Sequence, residues 1–531
     1  MRSAASALAV ALTLSACAGA PKALPERSIA ELADELGAGR TTSERLVRDY
    51  VARIEAVDRA GPALRSVIAV NPDALRQARA LDAERRTKGA RGPLHGVPVL
   101  LKDNIESADP MPTTAGSLAL KDNVTGRDAP LVTRLRAAGA VILGKTNLSE
   151  WANFRSSNST SGWSAVGGLT RNPYALDRNG CGSSTGSGVA VAANLAAGAI
   201  GTETDGSIVC PANMNGVVGL KPTVGLVSRT HIVPISTSQD TAGPMTRSVH
   251  DAALLLTVIV GSDPADPATA DADRHKRDYM AALRPDALKG RRIGVLHDYS
   301  GGEIVESLFE AALGRLRAGG AELVEIKDAK VSREIGGHEF KLLLAEFKAG
   351  LNDYLASTPA SVKTRTLADV IAFNAANAAA EMPLFGQDIF TQAQATKGLG
   401  DPAYIKARDA AKHLAGREGI DRLLAEYKVD LLVAPTMGPA WMTDLVNGDQ
   451  YSGGSASQLP AVAGYPHLTV PMGYVKGLPT GLSFIGPAWS EAELLAAGYA
   501  YEQASKLRQA PMFVKRSVEL RDVEAAIGPA R

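Results

Sequence analysis

Cysteine is scarce, with three in 531 residues. None stands at metal-ligand spacing from a histidine, which argues against a zinc site. Charge of one sign is lacking too: 57 basic and 56 acidic side chains leave a net +1, and no Lys/Arg-rich block occurs. A nucleic-acid partner needs a concentrated basic face, so that class is set aside. No segment after the first residues is apolar enough to cross a bilayer. No Pro- or Ser-rich linker divides the chain, and its 52 glycines follow no short repeat. One large soluble unit with tight loops is the reading. At 45% hydrophobic and 21% charged, the chain can bury a large core.

The N-terminus reads as a leader. MRSAASALAVALTLSAC has a basic start at Arg2, an apolar run, and Leu14-Ser15-Ala16-Cys17 at its end. A run of about ten apolar residues suits a signal peptide better than a membrane span. The last four positions resemble a bacterial lipobox. The expectation is a lipoprotein signal peptide at 1–16, lipidation of Cys17, a tether at 17–27 and one domain at 28–520. Export to the periplasm and a lipid anchor in the outer membrane follow from it, with the anchor as the only membrane contact. Cys181 and Cys210 then occupy a compartment where disulfides persist, and their pairing stays open.

Helix signals open the domain. Ser28-Ile29-Ala30-Glu31 and Thr41-Thr42-Ser43-Glu44 read as capping boxes, and Asn71-Pro72 precedes a third helix to about Lys88. Strands and helices then alternate. GVPVLLK is a short buried strand ending in Lys102, AVILG, RRIGVLHD, AELVEI, VDLLVAPT and HLTVPMGY are further strands, and LVTRLRAAGA and VAVAANLAAGA are helices. The pattern predicts an α/β fold, a single large domain with a central mixed sheet covered by helices on both faces. The mostly helical stretch from about Gly302 to Asp421 is assigned to a helical cap.

The stretch GCGSSTGSG, Gly180–Gly188, concentrates glycines and hydroxyls. A phosphate cradle is a poor explanation. The chain's one G-x-x-x-x-G-K-T match, Gly139–Thr146, has a helix before it and the apolar heart of a strand in its middle, whereas a P-loop follows a strand. A nucleophile elbow centred on Ser184 in Gly182–Gly186 needs a strand entering the turn, and the entry is the loop NPYALDR. His95, His231 and His467 lie near loops and read as structural. A third possibility joins Ser183 to Ser207, with a small-residue helix and a short strand between them, and to Lys102 on its apolar strand. Desolvation lowers a lysine's pKa, and a neutral lysine is a general base.

The motifs GPLHGVPVLLKDNI, GKTNLSEWANF, RNPYALDRNGCGSSTGSG, GTETDGSIVCPA, SQDTAGPMTRSVHDAALLL and AGYPHLTVPMGYVKGLPTGLSFIG, in this order, resemble the amidase signature family across about residues 28–510. GTETDGSIVCPA with NGVVGLKPTVGLVSR looks most like bacterial peptide amidases. The resemblance implies a Ser–cis-Ser–Lys triad: Ser207 as nucleophile, Ser183 as proton relay and Lys102 as base. It implies an acyl-enzyme, no cofactor and no metal. Backbone N–H groups of Thr204, Asp205, Gly206 and Ser207 are the expected oxyanion donors, with Ser184 in support.

Asp205 stands where the family commonly has glycine, Val209 where it often has arginine, and Glu203 where it has aspartate. These departures put substrate choice in doubt. The expected substrate is a small molecule or short peptide amide, cleaved at its C-terminal amide in a pocket closing just beyond the leaving NH₂. The alternatives are an aryl or fatty acylamidase, the amidase-like component of a glutamyl-tRNA amidotransferase, and a non-catalytic lipid-anchored binding protein.

Overall fold

The computed structural model of the chain describes residues 24–299 and 302–520. The signal peptide at 1–16, Cys17 and most of the tether lie outside the described residues. Among those described, no helix is long and apolar enough to cross a membrane.

Among the described residues thirteen strands form: β1 Val67–Val70, β2 Pro98–Lys102, β3 Val141–Thr146, β4 Trp163–Ser164, β5 Gly168–Leu169, β6 Gly198–Glu203, β7 Val218–Lys221, β8 Thr241–Thr246, β9 Arg292–Leu296, β10 Glu322–Ile326, β11 Leu431–Pro435, β12 His467–Val475 and β13 Leu478–Ile485. Eleven make one sheet in the order β1-β3-β2-β6-β8-β7-β12-β13-β11-β9-β10, and β4 and β5 pair separately. The sheet is mixed. β3, β2 and β6 run parallel, as do β10, β9 and β11, and an antiparallel block joins the two groups. This is the single α/β domain expected from the alternation.

The continuous apolar runs follow from burial on both faces. In β2, Val99 and Leu101 pack with Leu131, Leu255 and Ile29 on one face, and Leu100 packs with Val47 and Val189 on the other. In β11, Leu431 and Val433 join the first layer, while Leu432 and Ala434 meet the helical segment through Phe347, Phe390 and Ile420. The stretch from Glu303 onward is mostly helical, including Glu303–Ala318, Ile335–Ala356 and Pro402–Lys412. Its helix Ile335–Ala356 lies over the site, lining cavities with Leu343, Gly350, Asp353 and Tyr354.

Local signals hold with small shifts. Ser28 and Glu31 form a full capping box. The second box does not form: Thr42, not Thr41, caps Ser43–Arg53 by accepting from the Arg45 N–H, and an arginine at that position cannot return the bond. The third helix starts at Ala74, and Asn71 accepts from the Asp73 N–H ahead of it. The VAVAANLAAGA segment is not one helix: it ends at Ala192, and Gly198 already begins β6. The G-x-x-x-x-G-K-T match is the strand β3. Its Lys145 is buried, donating to the Ile105 carbonyl at 2.5 Å and Thr113 Oγ1 at 2.8 Å, so it cannot reach a phosphate.

Candidate active site

Parallel pairing of β2 with β6 sets Leu101 opposite Ile200, so the two C-terminal ends emerge side by side. Ligand sites of open α/β sheets gather at such ends. Lys102 closes β2 and is fully buried. Its Nζ donates to Ser183 Oγ at 2.7 Å, to Thr202 Oγ1 at 2.9 Å and to the Thr202 carbonyl at 3.2 Å. Asn104 Nδ2 also donates to Thr202 Oγ1, at 2.9 Å. Both acceptor positions of that hydroxyl are therefore used, which fixes the lysine head relative to Ser183. Burial brings Lys102 down from 10.5 to about 7, against the pull of the Asp240 and Glu203 carboxylates.

Ser183 follows a cis peptide bond after Gly182 and is buried just before the helix Thr185–Ala192. The glycines here serve close packing. A Cβ on Gly186 would lie 2.4 Å from the carbonyl oxygens of Asn147 and Ser66. Ser184 ties the loop to the strand end. Its hydroxyl donates to the Thr202 carbonyl at 3.0 Å and accepts from the Thr202 N–H at 3.1 Å, while its own N–H donates to the Ser207 carbonyl at 3.1 Å. Ser184 is thus locked in a buried network, which is unlike the exposed tip of an elbow.

Ser207 follows Gly206, whose φ of +77° makes the turn out of β6. Glu203 shapes this loop from within, accepting the N–H groups of Gly206 at 2.9 Å, Ile208 at 2.7 Å and Val209 at 3.0 Å. The Gly206 N–H is therefore engaged and leaves the expected oxyanion set, because the acidic side chain four residues before Ser207 turns back under the loop. Asp240 holds the other side, accepting from Thr204 Oγ1 at 2.6 Å and from the Ile235 and Ser236 N–H groups. Cys181 and Cys210 are joined as a disulfide with Cα atoms 5.9 Å apart, clamping the Ser183 loop to the helix after Ser207.

The two serines open onto different spaces. Ser207, Asp205 and the disulfide line a cavity of about 590 Å³ with Phe154, Met437 and Trp441. Ser183 lines a second cavity of about 480 Å³ with Asn104, Thr202 and Tyr354. Thr204, Ala152 and Ile235 border both.

Of His95, His231 and His467, His231 borders the Ser183 cavity with its Nδ1 4.0 Å from Glu106 Oε2, and the other two are elsewhere. His95 accepts from the Arg91 N–H and sits against the Leu81 carbonyl, and buried His467 lies 2.6 Å from Ser483 Oγ. Among the described residues one group is arranged like metal ligands, His297, Glu306 and Glu310, and it lines neither cavity. Sequence reasoning missed Thr202, Asn104, Asp240 and Glu339. Thr202 and Asn104 lie within the family motifs, but only strand pairing shows that they meet. Glu339 arrives from a distant helix and carries no local signal.

The family model described as Amidase matches residues 45–495. The native peptide amidase of Stenotrophomonas maltophilia is 55% identical with a TM-score of 0.88, covering 92% of this chain and 99% of that one. A "probable amidase" of Arabidopsis thaliana is 44% identical over 501 residues, 92% of each chain. The amidase-like component of the glutamyl-tRNA(Gln) amidotransferase of Pseudomonas aeruginosa is 33% identical, covering 91% of this chain and 98% of its own. Homologues of that kind are cytoplasmic, glutamyl-tRNA being a species of the compartment of translation, and they overturn the exported, outer-membrane placement. An Ala/Leu-rich stretch supplies a short apolar run and a four-residue match by composition alone, so it is weak ground for a placement. The lipid-anchored binding protein falls with it. The chain belongs to the amidase signature family and is an amidase, a hydrolase of carboxylic amides.

Proposed function

We propose that Ser207 is the nucleophile, Ser183 the relay and Lys102 the base of a hydrolase acting on the C-terminal amides of short peptides. The observation that carries the reading is the 2.7 Å hydrogen bond between Lys102 Nζ and Ser183 Oγ in a fully buried setting. Neutral Lys102 accepts the Ser183 proton while Ser183 accepts that of Ser207, whose oxygen attacks the amide carbonyl. The oxyanion is held by backbone N–H groups of Thr204, Asp205 and Ser207. Ser183 protonates the departing amine, and water releases the acid by the reverse path. Lys102, Ser183 and Ser207 need no metal for these steps. The amidase domain extends over 28–520.

The peptide-amide part of the reading is supported by the identity with peptide amidases, one of which binds the competitive inhibitor chymostatin. The Ser207 cavity, walled by Trp441, Tyr451 and Met437, has room for a short peptide's C-terminal residues. Identity of 55% with peptide amidase against 33% with the amidotransferase component favours the hydrolase over the transferase. A panel of peptide amides, anilides and long-chain amides tests it. Peptide amides are turned over fastest, with release of ammonia and no cleavage between residues. Faster turnover of anilides or long-chain amides makes the enzyme an acylamidase, for which the space beside Ser183 leaves room.

A further inference from the structure

We propose that Asp205 and Glu339 form a single shared-proton pair that discriminates the amide substrate from the acid product. The inference rests on Ser207 as nucleophile. Hydrolysis leaves a carboxylate on the very carbon that Ser207 attacked, so the product's charge arises beside residue 205. Asp205 lines the same cavity as Ser207, together with Ser457 and Gln458. Its carboxyl faces the Glu339 carboxyl and the Ser457 hydroxyl, and its Oδ1 is buried with no hydrogen-bond partner.

Glu339, buried on the helix Ile335–Ala356, accepts from Gln239 Nε2 at 2.9 Å and from Gln458 Nε2 at 3.0 Å. Two amide donors favour its ionised form, and two touching carboxyls resist a second charge. The proton therefore rests on Asp205. Burial, reinforced by Glu339, pushes Asp205 up to about 8, and burial raises Glu339 as well, so the two titrate as one unit. Glu203 at the end of β6 and Lys221 in β7 also face Asp205. Burial lowers Lys221 to about 8, so only differences among variants that keep Glu203 and Lys221 are diagnostic.

Near neutrality the pair carries one negative charge. A neutral amide enters without opposition, and the carboxylate product is repelled. Above about pH 8 the second charge appears and the acid binds more weakly still. Asp205 is the specificity-determining residue, and Glu339 is a positioning residue acting through it.

The test is the inhibition constant of the product acid, divided by KM for its peptide amide, from about pH 6 to about pH 9.5. It is measured in the wild type, in Glu339→Gln and in the double variant Asp205→Asn/Glu339→Gln. The double variant is expected to bind the acid about tenfold tighter relative to the amide, with a smaller step near pH 8 than the wild type, the remainder belonging to Lys221. Glu339→Gln alone removes the charge beside Asp205, so burial alone holds Asp205 up and the step moves to lower pH. A ratio within about twofold across all three enzymes, or a step as large in the double variant as in the wild type, overturns the proposal. If Glu339→Gln does not fold, Asp205→Asn alone supplies the same comparison: the step near pH 8 shrinks relative to the wild type, or the proposal fails. Failure of the underlying reading is separate, because it appears in the wild type as no serine-reagent adduct on Ser207.

Discussion

Replacing Asp240 by asparagine lowers the pH at which the enzyme switches on. Lys102 acts as a base only when neutral, and burial has brought it from 10.5 to about 7, a shift of about 3.5 units. At pH 7 about half of the lysines are neutral, against about one in 3,000 for an unshifted lysine. The shift is thus worth about a thousandfold in competent enzyme at neutral pH. Asp240 and Glu203 oppose it, since each carboxylate favours the ammonium form. Removing the Asp240 charge takes away a partly screened attraction on the order of one pKa unit. Asparagine can turn its oxygen to the Ile235 and Ser236 N–H groups and donate from Nδ2 to Thr204 Oγ1, so the Ser207 loop keeps that anchor. The assay is kcat/KM against pH on a peptide amide. The acid limb near pH 7 moves down by about one unit in Asp240→Asn. A limb that stays in place, or moves up, refutes the assignment of that limb to Lys102.

Lys102→Met removes a cation that is costly to bury. Unfolded Lys102 binds its proton up to about 10.5 and folded Lys102 only to about 7, so wild-type stability rises with pH across that window. The variant lacks this slope, and its advantage in urea unfolding shrinks by about 5 kcal/mol between pH 7 and 10.5. An advantage independent of pH contradicts the shift. Gly186→Ala sets a methyl group 2.4 Å from two carbonyl oxygens and costs about 1–3 kcal/mol in the same unfolding measurement. Alkylation of the denatured, unreduced protein leaves Cys181 and Cys210 unmodified, and reduction lowers stability by about 3–4 kcal/mol for the 29-residue loop they close. Two labelled thiols refute the bridge.

The parts of the fold with strong local periodicity were legible in the sequence. GVPVLLK, AVILG and VDLLVAPT became β2, β3 and β11 because buried parallel strands are continuous apolar runs. TAGPMT and LPTGLSFI did not read as strands, since each carries a proline and a glycine, yet tertiary pairing makes them β8 and β13. The serines and the lysine were legible through motifs. Their electrostatic surroundings were not, because Asp240 and Glu339 reach the site only through the folding of distant segments. The placement was misjudged because a short apolar run carries too little information against homologues matched over nearly the whole chain.

The central claim is that Ser207 carries the acyl group. A peptide-like phosphonate is incubated with the enzyme, and the modified residue is located by mass spectrometry after digestion. The account predicts one adduct, on Ser207, formed in step with loss of activity, slowed below about pH 7 as Lys102 gains its proton, and absent from Ser207→Ala. An adduct on Ser184 or Ser183, or inactivation without any change at Ser207, contradicts it.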